Sequence, residues 1–303
     1  MTIHENEIPV DEALVRALLK AQRPEWAELP LRRAGAGTDN NMFRLGDELL
    51  VRVPRTAEHA PTLVKEREWL PRLGAALSWP IPEPVHAGTP TEGFPLVWSV
   101  YRWIEGDPVG PETVRDWGVF GADLAAFVGE LHGTRLMGAS RTDGLSWYRG
   151  GRPAESDAYV GPAFEACRPL VGDELDVDAL EGMWRDGLAL PDSGAGPVWL
   201  HGDLRAANLL ARDGRFHAVI DFGGLSIGLP DAEHAAVWDL PPEARQAYWE
   251  ALDLDEGTWT RARAWAVAVA VLGIPYYWTT YPAFVTECRA RLSAVLAAPR
   301  SLR

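Results

Sequence analysis

The feature that most restricts what this chain can fold into is residues 201–224, HGDLRAANLLARDGRFHAVIDFGG. They follow an apolar triplet, Val198-Trp199-Leu200, and place His201, Asp203 and Asn208 ahead of two strand-like runs. Those runs, Asn208–Ala211 and Phe216–Asp221, flank Asp213-Gly214. Asp-Gly between apolar runs is a strong hairpin signal, so the chain doubles back and returns Asp221 toward Asn208. Taken singly, such Asp, Asn and Gly residues read as turn formers. Together they recur where apolar strands should carry them into the interior, which asks for a chemical reason.

Two chemistries fit. An amide oxygen and a carboxylate facing each other suit a hard cation, and Mg2+ takes few protein ligands when substrate phosphates supply others. Asp203, on the loop side, can then accept or orient a hydroxyl proton. The second reading makes His201 and Asp203 an H-x-D pair of a metal hydrolase. It needs a further ligand, and His132, His217 and His234 show no spacing that recruits one.

Composition narrows the class. A chain of 303 residues with 47% apolar content can bury a large core, as one large domain or two modest ones. A net charge of -14 argues against broad contact with nucleic acid, whose phosphates need a basic face. Cys167 and Cys288 share no metal-ligand spacing and read as isolated thiols. The opening MTIHENEIPVDEALVRALL lacks the pattern of a secretory signal. The run AWAVAVAVLGIPYYW from Ala264 is too short to span a membrane and contains Pro275, so it reads as a buried helix ending near Gly273. The expectation is a cytoplasmic protein with no membrane partner.

Along the chain, residues 10–20 have helical apolar spacing. Leu31–Ala34, Asn41–Leu45 and Leu49–Val53 read as an antiparallel meander, with Gly35–Asn40 as a small-residue loop and Pro54 ending the last strand. Residues 62–77 read as a helix interrupted near Pro71, with Leu63, Glu66 and Leu70 on one face. WPIPEPVHAGTP must be extended or turning, and LVWSVYRWI is a good central strand. Leu124, Val128 and Leu131 form one stripe of a helix within 111–136, whereas the Gly-, Arg- and Ser-rich residues 138–163 read as surface loops. Asp173, Glu174, Asp176, Asp178 and Glu181 lead into a helix, and further helices are expected over 243–251, 259–272 and 282–297.

These motifs resemble the aminoglycoside phosphotransferase-like family, relatives of protein kinases that include choline and homoserine kinases. The resemblance runs over roughly residues 31–235 and rests on His201-Gly202-Asp203 through Asn208 followed by Ile220-Asp221-Phe222. It implies that Asp203 is the catalytic base, that Asn208 and Asp221 are magnesium ligands, and that His201 braces the loop. Gly35, Gly37 and Thr38 would belong to the phosphate-covering hairpin. Arg52 stands where many relatives have lysine. It alternates with Val51 and Val53, so it faces the nucleotide if those two pack on the core. Glu66 resembles the glutamate that pairs with this cation, with Glu68 as the competing candidate. The family usually has an acid after Gly228 and an aspartate a few residues on, where this chain has Leu229 and Glu233.

The resemblance further implies an α+β, bilobal kinase-like fold. Its nucleotide-binding lobe of antiparallel strands would span residues 1–104, and a helical catalytic and acceptor lobe residues 105–303. ATP, with GTP as the alternative donor, would bind with Mg2+ between the lobes of a monomer or homodimer. The acceptor would be a small-molecule alcohol. The acids between Asp173 and Glu181 favour a cationic, aminoglycoside-like one by electrostatic attraction. A neutral macrolide-like or other metabolite alcohol, and nucleotide binding without turnover, are the alternatives.

Overall fold

The computed structural model describes residues 3–4, 6–191 and 193–299. The chain divides into two compact units, one of Met1–Gly106 with Ala218–Gly223, the other of Asp107–His217 with Gly224–Arg303. An antiparallel sheet dominates the first unit and helices the second, so the chain has the expected α+β, bilobal kinase-like fold.

In the first unit, α1 (Glu12–Gln22) starts at Asp11, whose carboxylate accepts from the Leu14 N–H. Strands β1 (Leu31–Ala36), β2 (Asn40–Leu45) and β3 (Leu49–Pro54) form the meander. After α2 (Ala60–Gly74), β4 (Pro84–Gly88) and β5 (Trp98–Arg102) complete a five-stranded sheet in the order β1-β2-β3-β5-β4. Side chains alternate across a strand, and the register makes that alternation decisive. Phe43, Val51 and Val100 lie opposite one another and pack with Val15, Leu18 and Leu19 of α1 in the core. Met42, Arg52 and Ser99 are paired in the adjacent row and so share the other face.

The helix expected to break near Pro71 does not break. Pro71 is exposed, while Trp69, Leu70 and Leu73 beside it are buried. Their packing outweighs the loss of one backbone hydrogen bond, which helix interiors normally resist.

The second unit opens with β6 (Asp107–Pro108) and α3 (Trp117–Gly133), which buries Leu124, Val128 and Leu131 as the stripe predicts. Residues 138–163 are not all loop. α4 (Pro153–Val171) begins within them and contains Pro162 and Pro169. Both prolines are exposed, and Val160, Phe164, Cys167 and Val171 carry a buried stripe at helical spacing. α5 (Val177–Ala189) follows, then β7 (Val198–Leu200), β8 (Leu209–Arg212), β9 (Arg215–Val219) and β10 (Ser226–Gly228). β10 pairs with β7, and β6, β8 and β9 form a small sheet. Asp213 and Gly214 have φ of 54° and 84°, the left-handed pair that a tight hairpin demands. Residues Pro230–Asp239 wind as 3-10 turns. α6 (Pro242–Ala251), α7 (Glu256–Tyr277) and α8 (Pro282–Ala297) complete the unit. α7 passes Gly273 and Pro275 and ends at Tyr277, later than expected, with Gly273 and Ile274 still buried. Among the described residues no helix is long and apolar enough to cross a membrane.

Candidate active site

In the first unit the site is organised around a buried cation. Val51 and Val53 point into the core, so Arg52 points the other way and is 5% exposed. Its Nη1 donates to both carboxylate oxygens of Glu66, at 3.0 and 2.8 Å, and its Nη2 donates to Asp221 Oδ1 at 2.9 Å. Tyr101 Oη also donates to Glu66, at 2.6 Å. Glu68 instead lies exposed near Arg72, because two residues along a helix is another face. Burial pushes the Glu66 carboxyl above its ordinary value, against the pull of Arg52 and Tyr101.

Asp221 has φ of 64°. A non-glycine residue is uncommon there, and such strain persists where the surroundings impose it. Its carboxylate is 44% exposed, with one oxygen held by Arg52. Beside it, Lys65 Nζ donates to the Gly223 carbonyl at 2.9 Å, and burial lowers its pKa to about 8, with Glu66 opposing. Nothing local in the sequence singles out Lys65, because its partner lies 158 residues away.

The loop expected over Gly35–Asn40 is shorter: Gly35, at φ of 105°, lies near the end of β1, where the register shifts, and Gly37 and Thr38 form the turn to β2. Gly37 O accepts from Arg55 Nε at 2.9 Å, and Thr38 Oγ1 donates to Asp39 at 2.9 Å. The loop is thus braced from within by Thr38 and from outside by Arg55, which follows β3.

In the second unit His201, Asp203 and Asn208 are brought together. His201 is fully buried and its Nδ1 accepts from the Asp203 N–H at 3.2 Å. Asn208 Nδ2 donates to the Asp203 carbonyl at 2.8 Å, which turns the amide oxygen the opposite way. Gly202 has φ of 79°, and any Cβ on it would run into the Gly224 carbonyl, so only glycine fits.

Four groups hold this loop. Glu233 accepts from the backbone N–H of both His201 and Gly202, and Asp239 accepts from Ala206 N at 3.2 Å. Asp239 is itself clamped by Arg291 through two bonds of 2.6 Å. Trp147 Nε1 donates to the Gly202 carbonyl at 3.1 Å. Glu233 thus reaches the loop despite its extra methylene. Burial raises its pKa to about 7, against the two N–H bonds. Leu229 bonds Gly150 through its backbone, at 2.9 Å.

Arg149, which the sequence did not mark, donates to the Asp203 carboxylate and to the Gly202 carbonyl. Burial alone would raise the Asp203 carboxyl. Arg149, with Arg205 behind it, reverses that and holds it below the usual carboxylate range. A carboxylate fixed in its ionised form, on a loop tied down at both ends, can receive or orient a proton at one defined place.

Most of the acids from Asp173 to Glu181 already have partners. Asp176 caps α5, Arg168 pairs with Asp178 and Glu181, and Arg289 pairs with Glu174. Local arginines and a helix end account for four of the five.

The fold is the bilobal kinase-like one. The sequence profile of the phosphotransferase enzyme family matches residues 30–265, and the chain belongs to that family. No curated protein matches the chain in sequence. Solved structures share the fold. Aminoglycoside 2'-phosphotransferase-IIIa in its GDP complex matches with a TM-score of 0.75 at 19% identity, over 95% of this chain and 99% of that one. Macrolide 2'-phosphotransferase type I matches with a TM-score of 0.66 at 18% identity, over 96% and 99%. The macrolide 2'-phosphotransferase MphH from Brachybacterium faecium gives 0.62 at 21%, over 93% and 99%.

Proposed function

We propose that the chain transfers the γ-phosphate of ATP, or of GTP, to a hydroxyl of a small ring-bearing molecule. The observation that carries this reading is Asp203, kept ionised by Arg149 on a loop anchored by Glu233 and Asp239. Residues 1–104 would supply the nucleotide-binding lobe and 105–303 the catalytic and acceptor lobe. Phosphoryl transfer needs little covalent chemistry from the protein and much positioning and charge neutralisation. Asp203 would orient the acceptor hydroxyl and take its proton, while His201 stiffens the loop beneath it. Arg52, set by Glu66, would neutralise phosphate charge, and Gly35, Gly37 and Thr38 would lie along the phosphates.

The Asn208 amide oxygen and the Asp221 carboxylate are each hard oxygen donors of the kind magnesium takes. When bound, the ion would neutralise charge on the phosphates.

For the acceptor, pairing of the acids around α5 weakens the case for an obligatory cation. Trp147 is 39% exposed, bonds the catalytic loop, and stands 5.1 Å from the Tyr148 ring. That favours an acceptor with a broad apolar ring face, macrolide-like rather than aminoglycoside-like. Labelled ATP with Mg2+ and a panel of macrolides, aminoglycosides and metabolite alcohols should yield a phosphorylated product, detected by its mass. Turnover of a neutral acceptor should change little with ionic strength, and that of a steered cation should fall. Nucleotide binding with no transfer to any acceptor would leave a non-catalytic binding protein instead.

Arg149→Gln provides a sharper check. Removing the cation lets burial raise the Asp203 carboxyl, so the acid limb of the kcat profile should move to higher pH. The loss near neutrality should be about 10- to 100-fold, the scale of a misplaced reacting group. A merely structural role would lower kcat equally at all pH values.

A further inference from the structure

Three side chains of the first unit meet beside the β1–β2 turn. His4 comes from the N-terminal segment, Asp39 from the β1–β2 turn, and His59 from the residue preceding α2. One potential ligand atom from each lies within 4.8 Å of the others. Among the described residues this is the one such group of three. His59 Nε2 stands 3.5 Å from Asp39 Oδ1, and the two imidazole rings have centroids 4.9 Å apart. Tetrahedral bonds near 2.1 Å place neighbouring ligand atoms about 3.4 Å apart. The His59–Asp39 edge already has that length, and all three ligand atoms lie within 4.8 Å of one another.

Each of the three also has an outer partner. Thr56 Oγ1 bonds His59 Nδ1 at 3.0 Å, the Thr38 carbonyl bonds His4 Nε2 at 2.9 Å, and Thr38 Oγ1 donates to Asp39 Oδ1 at 2.9 Å. Metal-ligating histidines and carboxylates are commonly oriented in this way. The segment carrying His4 is anchored as well. Glu7 accepts from the backbone N–H of Ile3 and His4 and pairs with Arg55 at 2.8 Å, and Arg55 reaches Gly37 in the turn.

We propose that His4, Asp39 and His59 form a binding site for a divalent transition-metal ion of the zinc type. Two imidazoles and one carboxylate select zinc, cobalt or nickel over magnesium, which takes oxygen donors. Three protein ligands leave room for water on the ion. The ion would join the N-terminal segment, the β1–β2 turn and the start of α2, and so stiffen the turn that carries Thr38. Its ligands are not the donors proposed for magnesium, Asn208 and Asp221, although a Cβ on Gly223 would stand 3.8 Å from Asp39 Oδ2 and 3.7 Å from Asp221 Oδ1.

The untagged full chain, stripped with chelator and free of nucleotide and magnesium, should be titrated with Co2+ while visible absorption is recorded. The expected result is one equivalent bound, with the intense bands of a four- or five-coordinate ion, displaced by Zn2+. His4→Ala and His59→Ala should each weaken binding at least about tenfold, while Asn208→Ala, in the other unit, leaves it unchanged. Thermal melting of each variant without metal shows that it is folded, and His59→Gln serves if His59→Ala is not. Undiminished binding by both histidine variants, or no binding by the unaltered chain, overturns the proposal.

Discussion

Asp203→Asn should lower kcat about 10³-fold, within the range expected when a general base is removed, and leave KM for the nucleotide nearly unchanged. Asparagine keeps the shape of the side chain but cannot take the proton of an acceptor hydroxyl. The loop beneath it keeps its anchors, because Glu233 and Asp239 bond the backbone rather than the carboxylate. Steady-state kinetics with the identified acceptor, beside direct nucleotide binding, separate the two effects. Near-normal turnover would show that Asp203 is not the group that handles the proton.

Arg52→Ala should destabilise the fold by about 3–5 kcal/mol, the usual cost of leaving a buried charge without its partner. That corresponds to a fall in Tm of roughly 10 °C. Glu66 is 0% exposed and would retain only the Tyr101 hydroxyl among the partners described above. Its carboxyl already sits above the ordinary value because burial disfavours the charge. A carboxyl whose pKa is raised on folding binds its proton more tightly in the native state, and that stabilising contribution is lost as pH rises. The penalty of the variant should therefore be smallest in acid, where Glu66 is neutral, and grow as pH increases. Arg52→Met with Glu66→Gln should recover most of the loss, since no buried charge remains. A penalty below about 1 kcal/mol for Arg52→Ala alone, as for an exposed pair, would contradict this account.

What could be read from the sequence was local. Asp213-Gly214 announced the hairpin, and the alternation around Arg52 told its face once Val51 and Val53 were known to pack on the core, whereas the choice between Glu66 and Glu68 stayed open until the ion pair with Arg52 was seen. The α4 helix was hidden because Pro162 and Pro169 argue for loops unless one sees that both sit on the solvent side. The buried stripe Val160, Phe164, Cys167 and Val171 was the available signal, and it outweighed the prolines. Pro71, which is exposed, misled in the same way, and Pro275, which is half-buried, falls in the last turn of α7. Arg149 and Lys65 had no local signal, since their partners lie 54 and 158 residues away. The acids before and within α5 suggested a ligand field only because their arginine partners, Arg168 and Arg289, could not be assigned to them from spacing alone.

The small stretch Ala218–Gly223 means that the first unit is not a contiguous length of sequence. A fragment ending at Gly106 would lack Asp221, the second partner of Arg52, and Gly223, the acceptor for Lys65. It would also lose the backbone bond from Val219 to Pro80. The ribosome therefore cannot finish this unit until more than half of the second has been made. Shuffling the N-terminal third between relatives as a cassette would break it, unless the six-residue insert travels too.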